Sequence, residues 1–448
     1  MSGPVSSRPS HTVCRLALML LLLGITTGCM SRQPTSPVDH GLLQAETELA
    51  AGHFSSATEI LQAFMVSNPN DPTPALALTD CYLAWGKPQA GLAALEEAAH
   101  RGAPADEIAD RRLALLRAAG AWTELRREAA LQLQASPDST TALSAMVEAA
   151  LQLGDCGSAQ DAAAQLTSVA PTRSANRILA VLEGNLELVR EHAPDLLQAD
   201  EICEPHCKLL VGYRLVEQEA WGLAHCVLQQ AVRTEPVSAE AHAWLGESLE
   251  RLGHSQQALA HFQQATQLAP ASPLSWLLLG KYHMTHHDLD AAEDALGRTR
   301  ELDPGNPAVY LATAELCASR GQYADMTTWN RKALSLAPDD PGLWQAVARM
   351  YLTRMLIEDT LAMEAAHRAV MLAPDDAESH VLLGWAHLLR SEPQEALVEL
   401  QKAVDLDPGS GEAHYLLSQA LRQMGEESAA REEQIRAADL GYPTPGSP

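Results

Sequence analysis

The stretch that decides the fold runs from His242 to Pro270 and reads HAWLGESLERLGHSQQALAHFQQATQLAP. Its apolar residues recur at helical spacing in two segments that flank a short turn at Gly253. Gly246 stands near the middle of the first segment, although a glycine there costs a helix about 1 kcal/mol relative to alanine. A similar string, SWLLLG, begins again at Ser275. The recurrence indicates a repeat in which this place must be occupied by a residue with little or no side chain.

Laid out in units of thirty-four residues, the C-terminal half keeps small residues at three places and proline at a fourth. The prolines of the thirty-second place are separated by 34, 34, 34, 36 and 34 residues. The two extra residues are placed most simply in the turn near Met355–Asp359. The small residues of the eighth place are Gly212, Gly246, Gly280, Ala314, Ala348, Gly384 and Ser418, and the prolines are Pro236, Pro270, Pro304, Pro338, Pro374 and Pro408.

Each apolar segment is about a dozen residues long, which is too short for a stable helix alone in water. The two segments of a repeat must therefore pack as an antiparallel pair. Small residues let the two helices approach closely, and larger ones such as Leu245, Phe262 and Leu296 fill the space between them. Proline ends the second helix and redirects the chain. The apolar flank of each pair then packs on the next pair, which predicts an all-α solenoid.

At these residues the chain resembles the tetratricopeptide repeat family, whose signature places a small residue, alanines, an aromatic and a proline at fixed offsets. Leu245, Gly246, Leu249, Ala258, Phe262, Ala265 and Pro270 match that signature. The resemblance implies an α-solenoid, a right-handed superhelix of antiparallel helix pairs. It covers about twelve repeats between Val38 and Leu440.

The 34-residue spacing is regular in some regions of the chain and irregular in others. Residues Ser174–Glu204 are three short of a full repeat and are interpreted as a degenerate helix pair, either a hinge or a diverged repeat. The polar last helix, Glu427–Leu440, suits the end of an array. The predicted regions are a signal peptide at 1–28, a tether at 29–37, partly degenerate N-terminal repeats at 38–204, a C-terminal array at 205–440 and a flexible tail at 441–448.

The N-terminus carries a targeting signal. Arg8 and Arg15 make a basic start, and Leu16–Ile25 is an apolar run too short to span a bilayer. The following Thr26–Cys29 resembles a bacterial lipobox, which implies cleavage before Cys29 and lipidation of that cysteine. An exported protein held on the periplasmic face of the outer membrane is expected. Plain secretion and an uncleaved anchor are the alternatives.

Composition excludes several classes of function. The 448-residue chain has a net charge of −26, which argues against binding to nucleic acid or broad adhesion to anionic lipid. The sequence contains no nucleophile elbow, no glycine-rich phosphate loop and no HExxH motif. We therefore expect neither an enzyme nor a cofactor.

Two groups of residues support an alternative function as an exported metal-binding or redox-active protein. Cys203, Cys207 and Cys226 lie close together in the sequence, so they could form a local disulfide or a loose zinc site. Their simpler interpretation is buried thiols in helical packing. His283, His286 and His287 share one helix face, which could hold a metal weakly or could be the polar end of a helix.

The family resemblance implies that the first helix of each repeat lines a concave surface. Glu240, Glu247 and Arg251 fall on that surface, and the predicted partner-binding residues are Leu277, Lys281, Met284, Leu311, Glu315, Arg349, Leu352, Val381, Trp385, Leu388, Leu389, Tyr415, Gln419 and Arg422. An apolar and aromatic groove with basic residues suits an extended peptide or an amphipathic helix. Packing between neighbouring helices is the alternative role of these side chains. The expected function is a scaffold in the assembly of a pilus, a secretion channel or a polysaccharide exporter. No asparagine stands at the places that the family uses to clamp chaperone tails, so that role is rejected.

Overall fold

The computed structural model describes residues 37–197, 207–356 and 360–442. This part of the chain contains 24 α-helices, one short 3-10 helix at Pro194–Leu196 and no strand. The predicted signal peptide, Cys29 and Cys203 lie outside the described residues. In chain order the helices are α1 Pro37–Ala50, α2 Phe54–Ser67, α3 Thr73–Ala84, α4 Pro88–His100, α5 Ala105–Ala118, α6 Trp122–Ala135, α7 Thr140–Gln152, α8 Cys156–Val169, α9 Arg173–Glu183, α10 Leu186–His192, α11 Cys207–Glu217, α12 Trp221–Thr234, α13 Ala239–Arg251, α14 Ser255–Leu268, α15 Pro273–Thr285, α16 Leu289–Leu302, α17 Pro307–Ser319, α18 Tyr323–Leu336, α19 Pro341–Leu352, α20 Thr360–Leu372, α21 Ala377–Leu389, α22 Pro393–Leu406, α23 Gly411–Gln423 and α24 Glu427–Asp439.

The helices pack as consecutive pairs, which confirms the predicted all-α solenoid. In the repeat that contains Gly246, α13 and α14 are joined by three residues. Gly253 lies in that turn with φ +82°, a backbone conformation that glycine adopts without a steric penalty. The N–H of His254 bonds to the carbonyl of Leu249, which fixes the reversal of the chain.

The glycine of the eighth place gives room to a side chain of the partner helix. A Cβ on Gly246 would lie 2.8 Å from ring atoms of Phe262, and one on Gly384 would lie 2.5 Å from Cγ of Leu400. Phe262 and Leu400 are both completely buried. The small residue therefore admits a large side chain between the helices, which matches the packing that the sequence predicts.

Two compact units make up the chain. The middle unit comprises residues 109–329, and the end unit combines the residues up to 108 with those from 330 onward. The sequence predicts a boundary near residue 204, because the repeat becomes regular there. The boundaries of the two compact units follow instead from which helices pack together. The core of the middle unit includes Leu245, Leu249 and Phe262, and a core of the end unit includes Leu400 and Leu417.

The predicted degenerate pair is irregular in the structure. Helix α9 has 11 residues, α10 has only 7, and the 3-10 turn follows. A disulfide joins Cys156 at the start of α8 to Cys226 on α12, with a Cα–Cα distance of 5.5 Å. The bridge therefore spans the irregular segment and holds its two flanking repeats together.

This bridge corrects the expectation for the cysteines. Cys226 pairs with Cys156, 70 residues away, and not with its sequence neighbours. Cys207 is also disulfide-bonded. The simpler interpretation of buried free thiols is therefore wrong for Cys207 and Cys226, whereas Cys81 and Cys317, within the described part of the chain, are buried free thiols. Small side chains at helical spacing do not reveal which thiols meet across a repeat.

The predicted two-residue insertion falls after α19. Helix α19 ends at Leu352, and Met355 follows with φ +55°. Residues 357–359 are outside the described part of the chain, so the insertion near Met355–Asp359 stays a prediction.

Candidate partner-binding surface

Three successive first helices of the end unit, α19, α21 and α23, share one surface. The guanidinium of Arg349 on α19 donates to both carboxylate oxygens of Glu412 on α23 at 3.1 Å. The same group bonds to Glu378 on α21 at 3.2 Å. Burial disfavours the charge on Arg349, but the two glutamates outweigh that effect and raise its pKa. A bidentate pair of this kind fixes the helices in register.

Partly exposed side chains lie on the same three helices as this ion cluster. Trp385 and Tyr415 pack partly against the core of the end unit and remain partly open to solvent. The other predicted residues that are partly exposed in this region are Arg349, Leu389, Gln419 and Arg422. The surface thus combines apolar and aromatic contact area with groups that can hydrogen-bond, as a peptide-binding groove requires.

Some of the predicted contact residues are buried in the packing between helices. Leu352 is 0% exposed, Val381 3% and Leu388 6%, and in the middle unit Leu277 is 7% exposed. Val381 and Leu388 belong to the apolar cluster of α21–α24. For these four side chains the packing alternative describes what the structure shows.

The remaining predicted residues of the middle unit reach solvent. Lys281 and Glu315 are exposed, and Met284 and Leu311 are partly exposed. Glu240 and Arg251 are also exposed, and Arg251 pairs with the carboxylate of Glu247 at 3.0 Å. Direct binding by any predicted residue remains a prediction.

Tyr442 covers one end of the surface on the end unit, and sequence reasoning missed it. Its ring lies 5.2 Å from that of Tyr415. Burial, and then Glu412 and Tyr415, raise the pKa of the Tyr442 phenol, while Arg349 lowers it. A Cβ on Gly411 would lie 2.8 Å from Cβ of Tyr442. Glycine at the first place of this repeat therefore makes room for the tyrosine.

A hydrogen bond recurs where one repeat passes into the next. Six residues after each proline of the thirty-second place stands a ring with a polar atom, and that atom lies 2.8–3.2 Å from the proline carbonyl. The constant offset of six residues between the proline and the ring is visible in the sequence and could have predicted this bond. The rings belong to His242, Trp276, Tyr310, Trp344, His380 and His414.

The histidines of the last two repeats also contact the second helix of their own repeat. Nδ1 of His380 lies 2.6 Å from Oε2 of Glu399, and Nδ1 of His414 lies 2.5 Å from Oε2 of Glu433. Both rings are almost fully buried. Each ring therefore joins the end of the preceding repeat to both helices of its own repeat.

The groups behind the metal-binding alternative do not converge. His283 contacts Asp288 at 3.4 Å, His286 contacts Glu250 at 2.9 Å, and His287 lies in a turn with φ +59°. Cys207 and Cys226 are held in disulfides. In the ranges 37–197, 207–356 and 360–442, no three histidine, cysteine or acidic side chains are arranged to hold a metal ion.

A separate group of histidines lies inside the middle unit. Nδ1 of His242 and Nδ1 of His261 are 2.8 Å apart. Burial lowers the pKa of His261 to about 4, and the neighbouring His242 and His225 add to the shift. Burial also lowers the pKa of His225, followed by the effect of His254. Burial thus favours the neutral form of these rings, and at the contact of His242 with His261 one Nδ1 must donate and the other accept.

The C-terminal repeats match the models of a known protein family. A tetratricopeptide repeat model matches residues 212–273, 277–341 and 360–411, and a second tetratricopeptide repeat model matches 387–437. The chain belongs to the tetratricopeptide repeat family. Tetratricopeptide repeat proteins are scaffolds for protein–protein interaction, and this class is generally not enzymatic.

Solved structures with similarity to this tetratricopeptide repeat protein share little of its sequence. The APC/C hetero-tetramer Cut9–Hcn1 is 14% identical over 86% of this chain and 91% of its own, with a TM-score of 0.42. Yeast Tom70 is 16% identical over 90% and 92%, with a TM-score of 0.36. Pseudomonas aeruginosa PilF is 17% identical over 46% and 93%, with a TM-score of 0.38. No curated protein sequence matches the chain.

In the described ranges, no helix is both long enough and apolar enough to cross a membrane.

Proposed function

We propose that this tetratricopeptide repeat protein is an exported, lipid-anchored scaffold of the bacterial cell envelope. It would hold a peptide or a helix of a partner protein on the surface formed by α19, α21 and α23. The observation that carries the proposal is that Arg349, Glu378 and Glu412 hold the three first helices together. Trp385 on α21 and Tyr415 on α23 are partly exposed on these helices.

The chemistry of this surface fits a partner with an apolar side chain. Trp385 and Tyr415 supply contact area at low entropic cost, because their side chains are partly held by the core beneath. Leu389 on α21 adds partly exposed apolar area. Gln419 and Arg422 can orient the partner backbone or an acidic group. Nucleic acid is not an expected partner, since the chain has a net charge of −26.

Export and anchoring are supported by two independent features. The apolar run before Cys29 has the pattern of a lipoprotein signal. The Cys156–Cys226 disulfide is of a kind that persists in oxidising compartments and is rare in the cytosol. Substitution Cys29→Ala, followed by metabolic labelling with an alkyne fatty acid and cell fractionation, tests the anchor. Unchanged labelling and membrane association would contradict it.

The surface is tested by photo-crosslinking in the native host. A photoreactive amino acid at position 419 should capture a partner, which mass spectrometry would identify, and this identity would discriminate between a pilus, a secretion channel and a polysaccharide exporter. Trp385→Ala with Leu389→Ala should reduce the capture at least ten-fold. Val398→Ala is the matched control, because Val398 is 66% exposed on the second helix α22. Equal capture by all variants would count against the surface.

A further inference from the structure

The ring of His380 has a hydrogen-bond partner on each of its two nitrogens. Its Nε2 lies 3.0 Å from the carbonyl oxygen of Pro374, and its Nδ1 lies 2.6 Å from Oε2 of Glu399. A carbonyl oxygen can only accept a hydrogen bond, so Nε2 must carry a hydrogen. An ionised carboxylate can also only accept, so a second hydrogen must lie between Nδ1 and Oε2. Ring and carboxylate together therefore hold one proton more than a neutral imidazole beside an ionised glutamate.

His414 repeats this arrangement in the last repeat. Its Nε2 lies 3.1 Å from the carbonyl oxygen of Pro408, and its Nδ1 lies 2.5 Å from Oε2 of Glu433. The other carboxylate oxygen of Glu433 accepts from Nη1 of Arg436 at 2.6 Å, which favours the ionised glutamate. Imidazole is a stronger base than carboxylate, so the extra proton belongs to the ring. His380 is 2% exposed and His414 4%, so water does not replace either partner.

The same place in earlier repeats is occupied by rings that need no extra proton. Trp276, Tyr310 and Trp344 donate to the proline carbonyl as neutral groups. The Nε2 of His242 also donates to such a carbonyl, and its Nδ1 can accept from the neutral ring of His261 at 2.8 Å. The glutamate beside the ring therefore distinguishes the last two repeats from these four.

Both rings lie in the first turn of a helix, where the positive end of the helix dipole disfavours a cation. Glu399 on α22 and Glu433 on α24 oppose this effect by direct contact with the rings. Asp376 also opposes it at α21, because its carboxylate caps that helix by accepting the N–H of Ser379.

Further charged groups reach α21 and α23 from the helices packed on them. Helix α21 packs against α19, α20, α22 and α23, and α23 packs against α21, α22 and α24. These groups bond to or stack on residues other than the two rings: Arg349 on Glu378 and Glu412, His367 and Glu392 on His387, and Gln434 on Arg422.

We propose that the pairs His380–Glu399 and His414–Glu433 are proton-binding sites that hold together the two helices of each of the last two repeats. The proposal stands apart from the proposed partner-binding function, although α21 and α23 also contribute to that surface. Without the proton, a ring nitrogen and a carboxylate oxygen, both acceptors, would face each other at hydrogen-bond distance in a buried place. The pair must then separate, which loosens α22 from α21 and α24 from α23.

The direction of the pH dependence follows from the bound proton. A free histidine loses its second proton between about pH 5 and pH 8, so above this range each closed pair must take up a proton from solvent. Packing that requires this proton weakens as the pH rises, by at most about ten-fold per pH unit for one pair. The direction is opposite to that at the contact of His242 with His261, where burial favours neutral rings.

Hydrogen exchange of the backbone amides in α22 and α24 measures this loosening in the full chain. After correction for the intrinsic effect of pH, exchange should become faster between about pH 6 and pH 8.5, by up to about ten-fold per pH unit. The amides of α16 are the internal reference, because the ring of that repeat is the neutral donor Trp276.

Nitrogen-15 spectra of the histidine rings give a second readout. At about pH 7.5 both nitrogens of His380 and His414 should carry a hydrogen, whereas the exposed His287 should carry one hydrogen on its ring nitrogens.

Two double variants separate the pairs from a general effect of pH. Glu399→Gln with Glu433→Gln removes the need for the extra proton, because a glutamine amide can donate to Nδ1 of a neutral ring. Exchange in α22 and α24 should then not depend on pH, and each ring should carry one hydrogen. Glu395→Gln with Glu432→Gln makes the same change of net charge at exposed residues of the same two helices and should behave as the parent chain. If the first variant does not fold, the exchange and the ring spectra of the parent chain still decide.

Three outcomes would overturn the proposal. The first is exchange in α22 and α24 that follows that of α16 at every pH. The second is a single hydrogen on each of the two rings at about pH 7.5. The third is a pH dependence that survives the replacement of both Glu399 and Glu433, since another group would then bind the proton.

Discussion

Leu296 on α16 occupies the space that a side chain on Gly280 of α15 would need. A Cβ on Gly280 would lie 2.9 Å from both Cγ and Cδ2 of Leu296, which is completely buried. The glycine therefore costs helix propensity in α15 and gains a buried leucine between the two helices. The same relationship recurs between Gly212 and Leu228.

This relationship predicts opposite effects for two glycines of one repeat. Gly280→Ala should lower the free energy of unfolding by about 1–2 kcal/mol, because Leu296 must leave its position. Gly297→Ala, in the middle of α16, should raise it by about 1 kcal/mol, since the nearest atom to a new Cβ is Nη2 of Arg300 at 3.7 Å. Urea unfolding followed by circular dichroism measures both. Destabilisation by both substitutions would contradict the packing argument.

The disulfide should account for much of the stability of the middle unit. Cys156 and Cys226 close a loop with a sequence separation of 70 residues, for which chain entropy gives about 4 kcal/mol. The double variant Cys156→Ser, Cys226→Ser should unfold at clearly lower urea than the oxidised parent chain. Cys317→Ser, at a buried thiol of the same unit, is the control for loss of a sulfur atom. An equal loss in the control and the double variant would show that burial, and not the bridge, is responsible.

Acid should destabilise the middle unit through its neutral histidines. The pKa of His261 is lowered to about 4 in the folded state, below the ordinary value of 6.5. A histidine with a lowered pKa contributes its stability above the unfolded pKa and loses it as the pH falls. Unfolding free energy should therefore decrease between pH 6.5 and pH 4, by about 1–2 kcal/mol once solvent screening is allowed for.

The matching variants isolate the histidine pair from other acidic effects. His261→Gln should flatten this part of the stability profile, because His242 then faces an amide in place of a second ring. His287→Gln, at an exposed turn residue, should leave the profile unchanged. A parent-like slope in His261→Gln would contradict the role of the pair.

The repeat was predictable because its signals are local and periodic. Gly246 and Pro270 recur with one period, and each acts on helices that are neighbours in the sequence. The Cys156–Cys226 bridge was not predictable, since it joins two residues 70 positions apart that share no offset in the repeat.

The candidate surface was predictable only in part. Its face follows from the family, and the structure leaves Trp385 and Tyr415 half-exposed there. The family's concave-surface positions also include Val381 and Leu388, but both side chains are buried in the structure. A position in the repeat specifies a direction on the helix, whereas exposure depends on how closely the next helix packs.

The hydrogen bonds between repeats give a last prediction. The hydroxyl of Tyr310 donates to the carbonyl of Pro304 at 3.0 Å, and Tyr310 is 6% exposed. Tyr310→Phe removes only the hydroxyl and with it the bond to the Pro304 carbonyl, so it should lower the free energy of unfolding by about 1 kcal/mol. Tyr323→Phe, at a tyrosine that is 45% exposed, should change it by less than about 0.5 kcal/mol. Equal effects of the two substitutions in urea unfolding would show that the bond to the proline carbonyl does not stabilise the passage between repeats.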